Sequence, residues 1–194
     1  MTQFAWKPAM GGALAALTLS LAAACSPAED EQAGAEVGAT QDEVERPLAA
    51  VLGDVDDLGT LSDAISEAEI ASVFDGAGSY TLLAPNDAAF EKLGDRAGAL
   101  MEEQQRPILI GILRNHVLPG HLTPDNIRQA IENESGPVTM TTLGDSEITF
   151  AQDGDTITAS IDGHGTTRFV GSATEASNGV IIPLDTVLLP SSQS

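Results

Sequence analysis

The sequence predicts an α+β fold, because helix-like and strand-like patterns occupy different parts of one domain. From Leu48 to Pro137, apolar residues recur mainly at helical spacing. After Pro137 the chain is rich in threonine and branched side chains, and Asp153-Gly154 is a typical hairpin turn. A run of helices followed by a run of strands favours α+β over alternating βαβ units.

The first predicted helix covers 58–68, where apolar residues fall at helical spacing. Thr60 or Ser62 is a candidate N-cap, since a short hydroxyl side chain accepts a hydrogen bond from the first free amides of a helix. Residues 70–74 extend the apolar face into a second short turn. We therefore expect two consecutive helical pieces at the start of the domain.

Residues 80–84 (YTLLA) predict a short buried strand, which Pro85 ends. Asn86 or Asp87 can then cap a helical turn that carries Phe90 back towards the core.

A second helical region follows over 100–113, with a kink or restart at Pro107. Pro119-Gly120 predicts a sharp turn. Thr123 is then a candidate cap of a helix that has proline at its first position and ends near Asn133.

The remaining segments predict strands, with a hairpin joining the second and third. They are residues 138–143, 147–151, 156–161, 169–170, 180–182 and 186–189.

Composition excludes several functions. The chain has 194 residues, with 29 acidic and 8 basic side chains and a net charge of −21. Such a surface repels phosphate backbones, so we expect no nucleic-acid partner. The single cysteine can form neither an intrachain disulfide nor a zinc site of the usual multi-cysteine type.

The N-terminus is predicted to be a signal peptide over 1–24, because a charge-free apolar run of about fifteen residues is too short for a comfortable membrane span. It ends in LAAACS and resembles a bacterial lipoprotein signal, which implies cleavage before Cys25 and lipidation of its thiol. Ser26 replaces the aspartate that retains lipoproteins in many inner membranes. We therefore expect an extracytoplasmic protein anchored in a lipid bilayer through Cys25, at the outer membrane.

Residues 25–47 contain seven acids and almost no large apolar side chain. Such a segment cannot bury enough surface to offset its ordering entropy, so a disordered tether is predicted. The predicted domain covers 48–190 and a tail covers 191–194.

Three segments resemble the fasciclin (FAS1) domain family. Residues 81–90 (TLLAPNDAAF) resemble its first signature, 115–120 (NHVLPG) its central histidine motif, and 178–190 (NGVIIPLDTVLLP) its second signature. The resemblance implies a single domain with a β-wedge of two sheets and several short flanking helices. It also implies a binding or adhesion role and marks the site residues, which are Pro85, Asn86, Asp87, Phe90, Asn115, His116, Pro119, Gly120, Asn178, Gly179 and Asp185.

Four residues in these motifs carry further expectations. Gly179 permits backbone angles that other residues resist, and Asn178 beside it tolerates the left-handed region. Pro183 cannot donate a ladder hydrogen bond, so its stretch should be an edge or a bulge. Asn115 replaces a tyrosine that the family often has before the histidine, so the resemblance does not extend to integrin-type recognition.

His116 is the most tempting candidate for chemistry. A lone histidine needs a nucleophile and an orienting group before catalysis is plausible, and the sequence offers no nucleophile motif. The structural interpretation makes it a half-buried histidine bonded to a carboxylate, with Asp87 a candidate, or to a backbone group. His121 lies five residues further on, which is not a helical ligand pair, so no metal site and no cofactor are predicted.

The preferred hypothesis is a non-enzymatic, surface-anchored monomer that binds an unknown envelope or matrix component. The alternative is a carrier or sensor of an apolar small molecule, such as a pigment or lipid, held between the helices and the sheets. A hydrolase using His116 is the third and weakest possibility.

Overall fold

The computed structural model describes residues 46–75, 78–161 and 164–189. The predicted signal peptide, Cys25, most of the tether, Pro190 and the tail lie outside these described residues. Within them, no helix is both long enough and apolar enough to cross a bilayer.

The helices are short, and most lie in the first half of the domain, as predicted. The described part has α1 (Leu48–Leu52), α2 (Gly59–Glu67), α3 (Asp87–Glu91), α4 (Asp95–Leu100), α5 (Arg106–Asn115) and α6 (Pro124–Glu134). Two 3₁₀ turns cover Ala71–Asp75 and Glu103–Gln105.

The predicted helical region over 100–113 is divided. Leu100 ends α4, and α5 begins only at Arg106 with proline in its first turn. Proline fits this position because its missing amide would have no partner in the helix. The restart expected at Pro107 is confirmed.

Helix α6 begins as its sequence predicts. The Thr123 side chain accepts a hydrogen bond from Asn126 N, and the Asn126 side chain accepts one from Thr123 N. This reciprocal pair satisfies two amides at the helix start.

In the described ranges, eight strands form two four-stranded sheets. The strands are β1 (Tyr80–Pro85), β2 (Val117–Pro119), β3 (Val138–Thr141), β4 (Glu147–Asp153), β5 (Thr156–Ile161), β6 (His164–Arg168), β7 (Thr174–Ala176) and β8 (Gly179–Leu184). The first sheet has the order β2-β1-β8-β7, with β1 and β8 parallel. The second is a β3-β4-β5-β6 meander, antiparallel throughout.

Two apolar cores place the layers. One face of the first sheet, with Leu82 and Ile181, packs in the core formed with helices α1 to α5. The other face, with Leu83 and Ile182, packs against the second sheet, which contributes Phe150 among others. The alternation follows from strand geometry, because successive side chains point to opposite faces. The α+β fold with two sheets flanked by short helices is confirmed.

Two strand predictions were wrong. Residues 186–189 are not a strand, although Val187 and Leu188 are buried. An apolar run predicts that a segment is buried, but it does not show that a neighbouring strand is available to pair with it. Phe169 forms only an isolated bridge with Leu184, while the strand in this region, β6, lies earlier. Its sequence HGTTR has no apolar pattern that would reveal it.

The prediction for Pro183 was half right. Its strand β8 is an inner strand, and its pairing with β1 shows no register shift. However, β7 pairs only with Gly179–Ile181, and the Pro183 carbonyl accepts from Val170 N on that side. The nitrogen of Pro183, which has no hydrogen to donate, therefore faces away from β1. The β1–β8 ladder loses no hydrogen bond as a result.

Candidate functional site

His116 lies at the junction of α5 and β2 and is buried, with 1% of its surface exposed. Its Nδ1 lies 2.9 Å from the Ile112 carbonyl, one turn back in α5. Leu188 N donates to Nε2 at 3.0 Å. Because an amide can only donate, Nε2 must be the acceptor, so Nδ1 carries the proton and donates to Ile112.

Burial lowers the pKa of His116 from 6.5 to about 4, against the opposing effect of its hydrogen bond to Ile112. The imidazole is therefore neutral at physiological pH. With one nitrogen donating and the other accepting, neither is available to take a proton from a substrate or to bind a metal. Within the described residues, no group of three or more His, Cys, Asp or Glu side chains could hold a metal ion.

The backbone part of the His116 prediction is thus confirmed, whereas the carboxylate part was wrong, and the side chain is fully buried, not half-buried as expected. Asp87 does not contact the imidazole; its Oδ1 accepts from Thr60 N at 2.8 Å. It thereby serves the first turn of α2, where neither Thr60 nor Ser62 is the cap: the N-cap is Leu58, which has no side-chain hydrogen bond. A carboxylate at a helix N-terminus satisfies a free amide and complements the helix dipole.

Asn86 is the N-cap of α3, as predicted. Its Oδ1 accepts from Ala89 N at 2.9 Å, while Phe90 on the same helix is buried. The first signature therefore ends β1 at Pro85 and begins α3, and its aspartate supports α2 from outside that helix. Asn86 and Asp87 thus assemble the fold, while Pro85 and Phe90 line a small space among the helices that His116 also lines.

Asn115 is also buried, and its Oδ1 accepts from the Thr142 hydroxyl at 3.1 Å. The Thr142 Oγ1 in turn accepts from Gly144 N and Ser146 N. A Cβ on Gly144 would lie 2.0 Å from Asn115 Oδ1, so only glycine fits at that position. The pair joins the end of α5 to the β3–β4 loop.

Pro119 and Gly120 bring the central motif to the surface, where Pro119 is exposed. Gly120 has φ 102°, which favours glycine. The Thr81 hydroxyl donates to the Gly120 carbonyl at 2.8 Å and accepts from Leu122 N at 2.9 Å. The two hydrogen bonds of this buried threonine hold the turn against β1.

The second signature holds its neighbours through two polar side chains. Asn178 Oδ1 accepts from Leu48 N at 2.7 Å, and its Nδ2 donates to the Phe74 carbonyl. The left-handed backbone expected here is wrong, since neither Asn178 nor Gly179 has positive φ. Gly179 is required by space: a Cβ would lie 2.3 Å from the Tyr80 carbonyl oxygen.

Asp185 closes the signature. Its Oδ1 accepts from Arg168 N at 2.9 Å and from the hydroxyls of Thr167 and Thr186 at 3.1 Å. Partial burial alone would raise the pKa of Asp185, but these hydrogen bonds and the nearby charge of Lys92 hold it below its ordinary value. The carboxylate joins the end of β6 to the segment that leads to Leu188.

The motifs therefore surround the first sheet, and Pro85, Phe90, His116 and Val187 from all three line one small space among the helices. Sequence reasoning missed the partners Leu188, Thr142, Thr81 and Thr167. The three threonines are polar residues next to apolar runs. That placement was the sequence signal that could have identified them as buried hydrogen-bonding residues. The space among α2 to α5 beside His116 measures about 10 Å³, which is at the lower limit for a single water molecule.

Comparison with known proteins agrees with this architecture. The fasciclin domain profile matches residues 56–190. Protein sll1483 from Synechocystis sp. is 29% identical over 133 residues, which are 68% of this chain and 66% of that protein. This chain thus spans slightly less than two thirds of that relative.

The solved FAS1 domain pair from the insect cell adhesion molecule Fasciclin I has the same fold, with a TM-score of 0.67 at 15% identity. The match covers 76% of this chain and 52% of that structure, which contains two such domains. With the profile extending over most of the described residues and the two-sheet wedge in place, the chain belongs to the fasciclin domain family.

Proposed function

We propose that this chain is a non-enzymatic binding and adhesion module that works outside the cytoplasm. The observation that carries the proposal is the enclosure of His116: the most reactive side chain of the motifs is buried and uses both nitrogens for backbone hydrogen bonds. The motif thus builds the fold, and contact with a partner is left to the surface. FAS1 domains are known as binding and adhesion modules, which agrees with this role.

We further propose that Cys25 anchors the domain in a bilayer, at the outer membrane. The support comes from sequence: an apolar, charge-free run ends at the only cysteine, and Ser26 follows. A tether of about 22 residues would reach roughly 25 Å on average. More than one acyl chain is needed for stable anchoring, and a lipidated N-terminal cysteine can carry several.

The anchor is tested by expressing the full chain in a bacterial host fed an alkyne fatty acid. Labelling of the peptide that begins at Cys25, together with recovery in the outer-membrane fraction, would support the proposal. Cys25→Ser is the matched control and should lose both. A Cys25→Ser chain that stays membrane-bound would refute lipid anchoring.

The partner is proposed to be an envelope or matrix component that contacts the turn after β2. Pro119 is exposed there, and His121 is partly exposed beside it. Chemical cross-linking in the native envelope should capture the same partner with the full chain and with Asp155→Ala, a change in the exposed β4–β5 turn. Pro119→Ala combined with His121→Ala should weaken that capture. Equal capture by all three chains would exclude this turn.

The carrier alternative, for an apolar pigment or lipid, needs a different place from the one first expected. Ligand cavities usually measure roughly 300–1,000 Å³, whereas the space among the helices is about 10 Å³. A bound molecule there would have to open the core. Solvent extraction of the full chain purified from its own membrane tests this alternative.

A further inference from the structure

A second feature of the molecule is an apolar groove on the surface, away from the packed interior. It has a volume of about 320 Å³ and lies between α5, the first 3₁₀ turn and the β3–β4 loop. Its walls are almost entirely apolar, and Val73 on its wall is 40% exposed. The residues that line it are Ile70, Val73, Phe74, Ile110, Arg114, Val117 and Leu143.

Arg114 is the one charged side chain in this lining. Other basic side chains of the described part, such as Arg46, Arg106 and Arg168, form ion pairs with carboxylates. No described carboxylate lies within 4 Å of the Arg114 guanidinium, although the chain carries 29 acids. A guanidinium that has no ion pair among the described side chains and lies beside apolar walls offers one contact to an anion and one to an apolar group.

The size of the groove decides the kind of occupant. A stable protein interface buries roughly 1,200–2,000 Å², far more than seven lining residues provide. A volume of about 320 Å³ lies at the lower end for small-molecule sites. It admits a single apolar chain and is too small for two.

Charge decides the headgroup. The guanidinium fork matches a carboxylate or a phosphate. A net charge of −21 disfavours a dianion and an anionic bilayer surface more than it disfavours a single negative charge. We propose that this groove binds one single-chain carboxylate amphiphile of the fatty-acid class, with its headgroup on Arg114 and its chain along Val73, Ile110 and Leu143.

The proposal gives a ligand class to the carrier alternative, and it depends on neither the lipid anchor nor a macromolecular partner. It is tested on the purified full chain in solution, with palmitic acid that carries a diazirine in its chain as the probe. After illumination, mass spectrometry locates the adducts. Adducts on the peptides that contain Val73 and Ile110 are the expected result.

Arg114→Gln should reduce these adducts roughly tenfold or more, as expected for loss of a charge-assisted hydrogen bond. Arg96→Gln is the matched control, since Arg96 is exposed on α4 and also has no ion pair among the described side chains. Unlabelled palmitate should compete with the probe, whereas hexadecanol should not. Equal labelling in the two arginine variants, or equal competition by the alcohol, would overturn the assignment of the headgroup to Arg114.

Val73→Asp tests the apolar wall against Ile108→Asp, which alters a second exposed large apolar residue, 54% exposed on α5 but outside the groove. Both positions are on the surface, so both variants should fold. Only Val73→Asp should abolish labelling. If adducts occur solely outside the groove, or persist in Val73→Asp, the groove is not the binding site.

Discussion

Leu188 donates its backbone N–H to His116 Nε2 at 3.0 Å, across 72 positions of sequence. The same imidazole donates to the Ile112 carbonyl. His116 therefore ties the last turn of α5 to the segment that follows β8, and one buried side chain joins the central histidine motif to the second signature. The imidazole therefore has a structural role, and we expect its removal to lower the free energy of unfolding.

Replacing His116 by alanine should lower the free energy of unfolding by roughly 3 kcal/mol, because it leaves a buried donor and a buried acceptor unpaired and removes packed volume. Urea unfolding followed by circular dichroism measures the loss. His121→Ala, a change at a partly exposed side chain, should cost less than about 0.5 kcal/mol. An alanine variant as stable as the natural chain would contradict the structural role and reopen a chemical one.

The same histidine predicts a pH dependence. Its pKa is about 4 in the folded chain against 6.5 ordinarily, so the unfolded chain binds more protons between these values. Stability should then fall as the pH decreases from 6.5, by up to roughly 3 kcal/mol once the pH is below 4. Measuring the free energy of unfolding at several pH values between 7 and 4.5 tests this.

His116→Gln is the matching variant for the pH series, since glutamine keeps a donor and an acceptor but does not titrate. Its slope between pH 6.5 and 5 should be smaller than that of the natural chain. Identical slopes in the natural chain and in His116→Gln would mean that the pKa of His116 is the same in the folded and unfolded chains, which would contradict its lowering by burial.

Asp185 predicts a second and separable effect. Its carboxylate accepts three hydrogen bonds from Thr167, Arg168 and Thr186, and its pKa is held below 3.8. The stabilisation is therefore present above that pH and is lost as the pH falls through the lowered value. Asp185→Ala should cost roughly 2 kcal/mol at pH 7 by leaving its donors without their acceptor.

Thermal and urea unfolding at pH 7 compare Asp185→Ala with Asp153→Ala. Asp153 also contacts Arg168, but as an exposed ion pair at 3.2 Å, which is worth little. We expect less than about 0.5 kcal/mol for that change. Equal losses at the two positions would show that the Asp185 hydrogen bonds contribute no more than a surface charge.

Local patterns predicted much of this fold. The cap at Thr123, the restart at Pro107 and the Asp153-Gly154 hairpin all depend on neighbours within a few residues, and all three are present. The three fasciclin-like segments gave the family and the two-sheet wedge. In each case the sequence near the residue contains the physical reason for its conformation.

The site relationships could not be predicted in this way. Asp87 supports α2 from 27 positions away, and His116 meets Leu188 across 72. A carboxylate or an imidazole can form hydrogen bonds with many different groups, and the tertiary structure determines which group is within reach. The strand prediction for residues 186–189 was wrong for the same reason. Their apolar sequence predicts burial, but it does not reveal whether a neighbouring strand is present to pair with them.

Gly179 gives the last prediction, because its role depends on space and not on backbone angle. A Cβ at this position would lie 2.3 Å from the Tyr80 carbonyl oxygen and 2.6 Å from Leu48 Cδ1. The oxygen belongs to β1, which pairs with β8 at this residue, so it cannot move aside cheaply. Gly179→Ala should therefore destabilise the domain by roughly 2–3 kcal/mol.

Gly111→Ala is the matched control: nothing lies within 4 Å of its added Cβ, and it lies inside α5. Alanine there should stabilise the chain by about 0.5–1 kcal/mol. Urea unfolding of both variants measures the two signs, and a Gly179→Ala chain as stable as the natural one would mean that β1 and β8 are further apart than described.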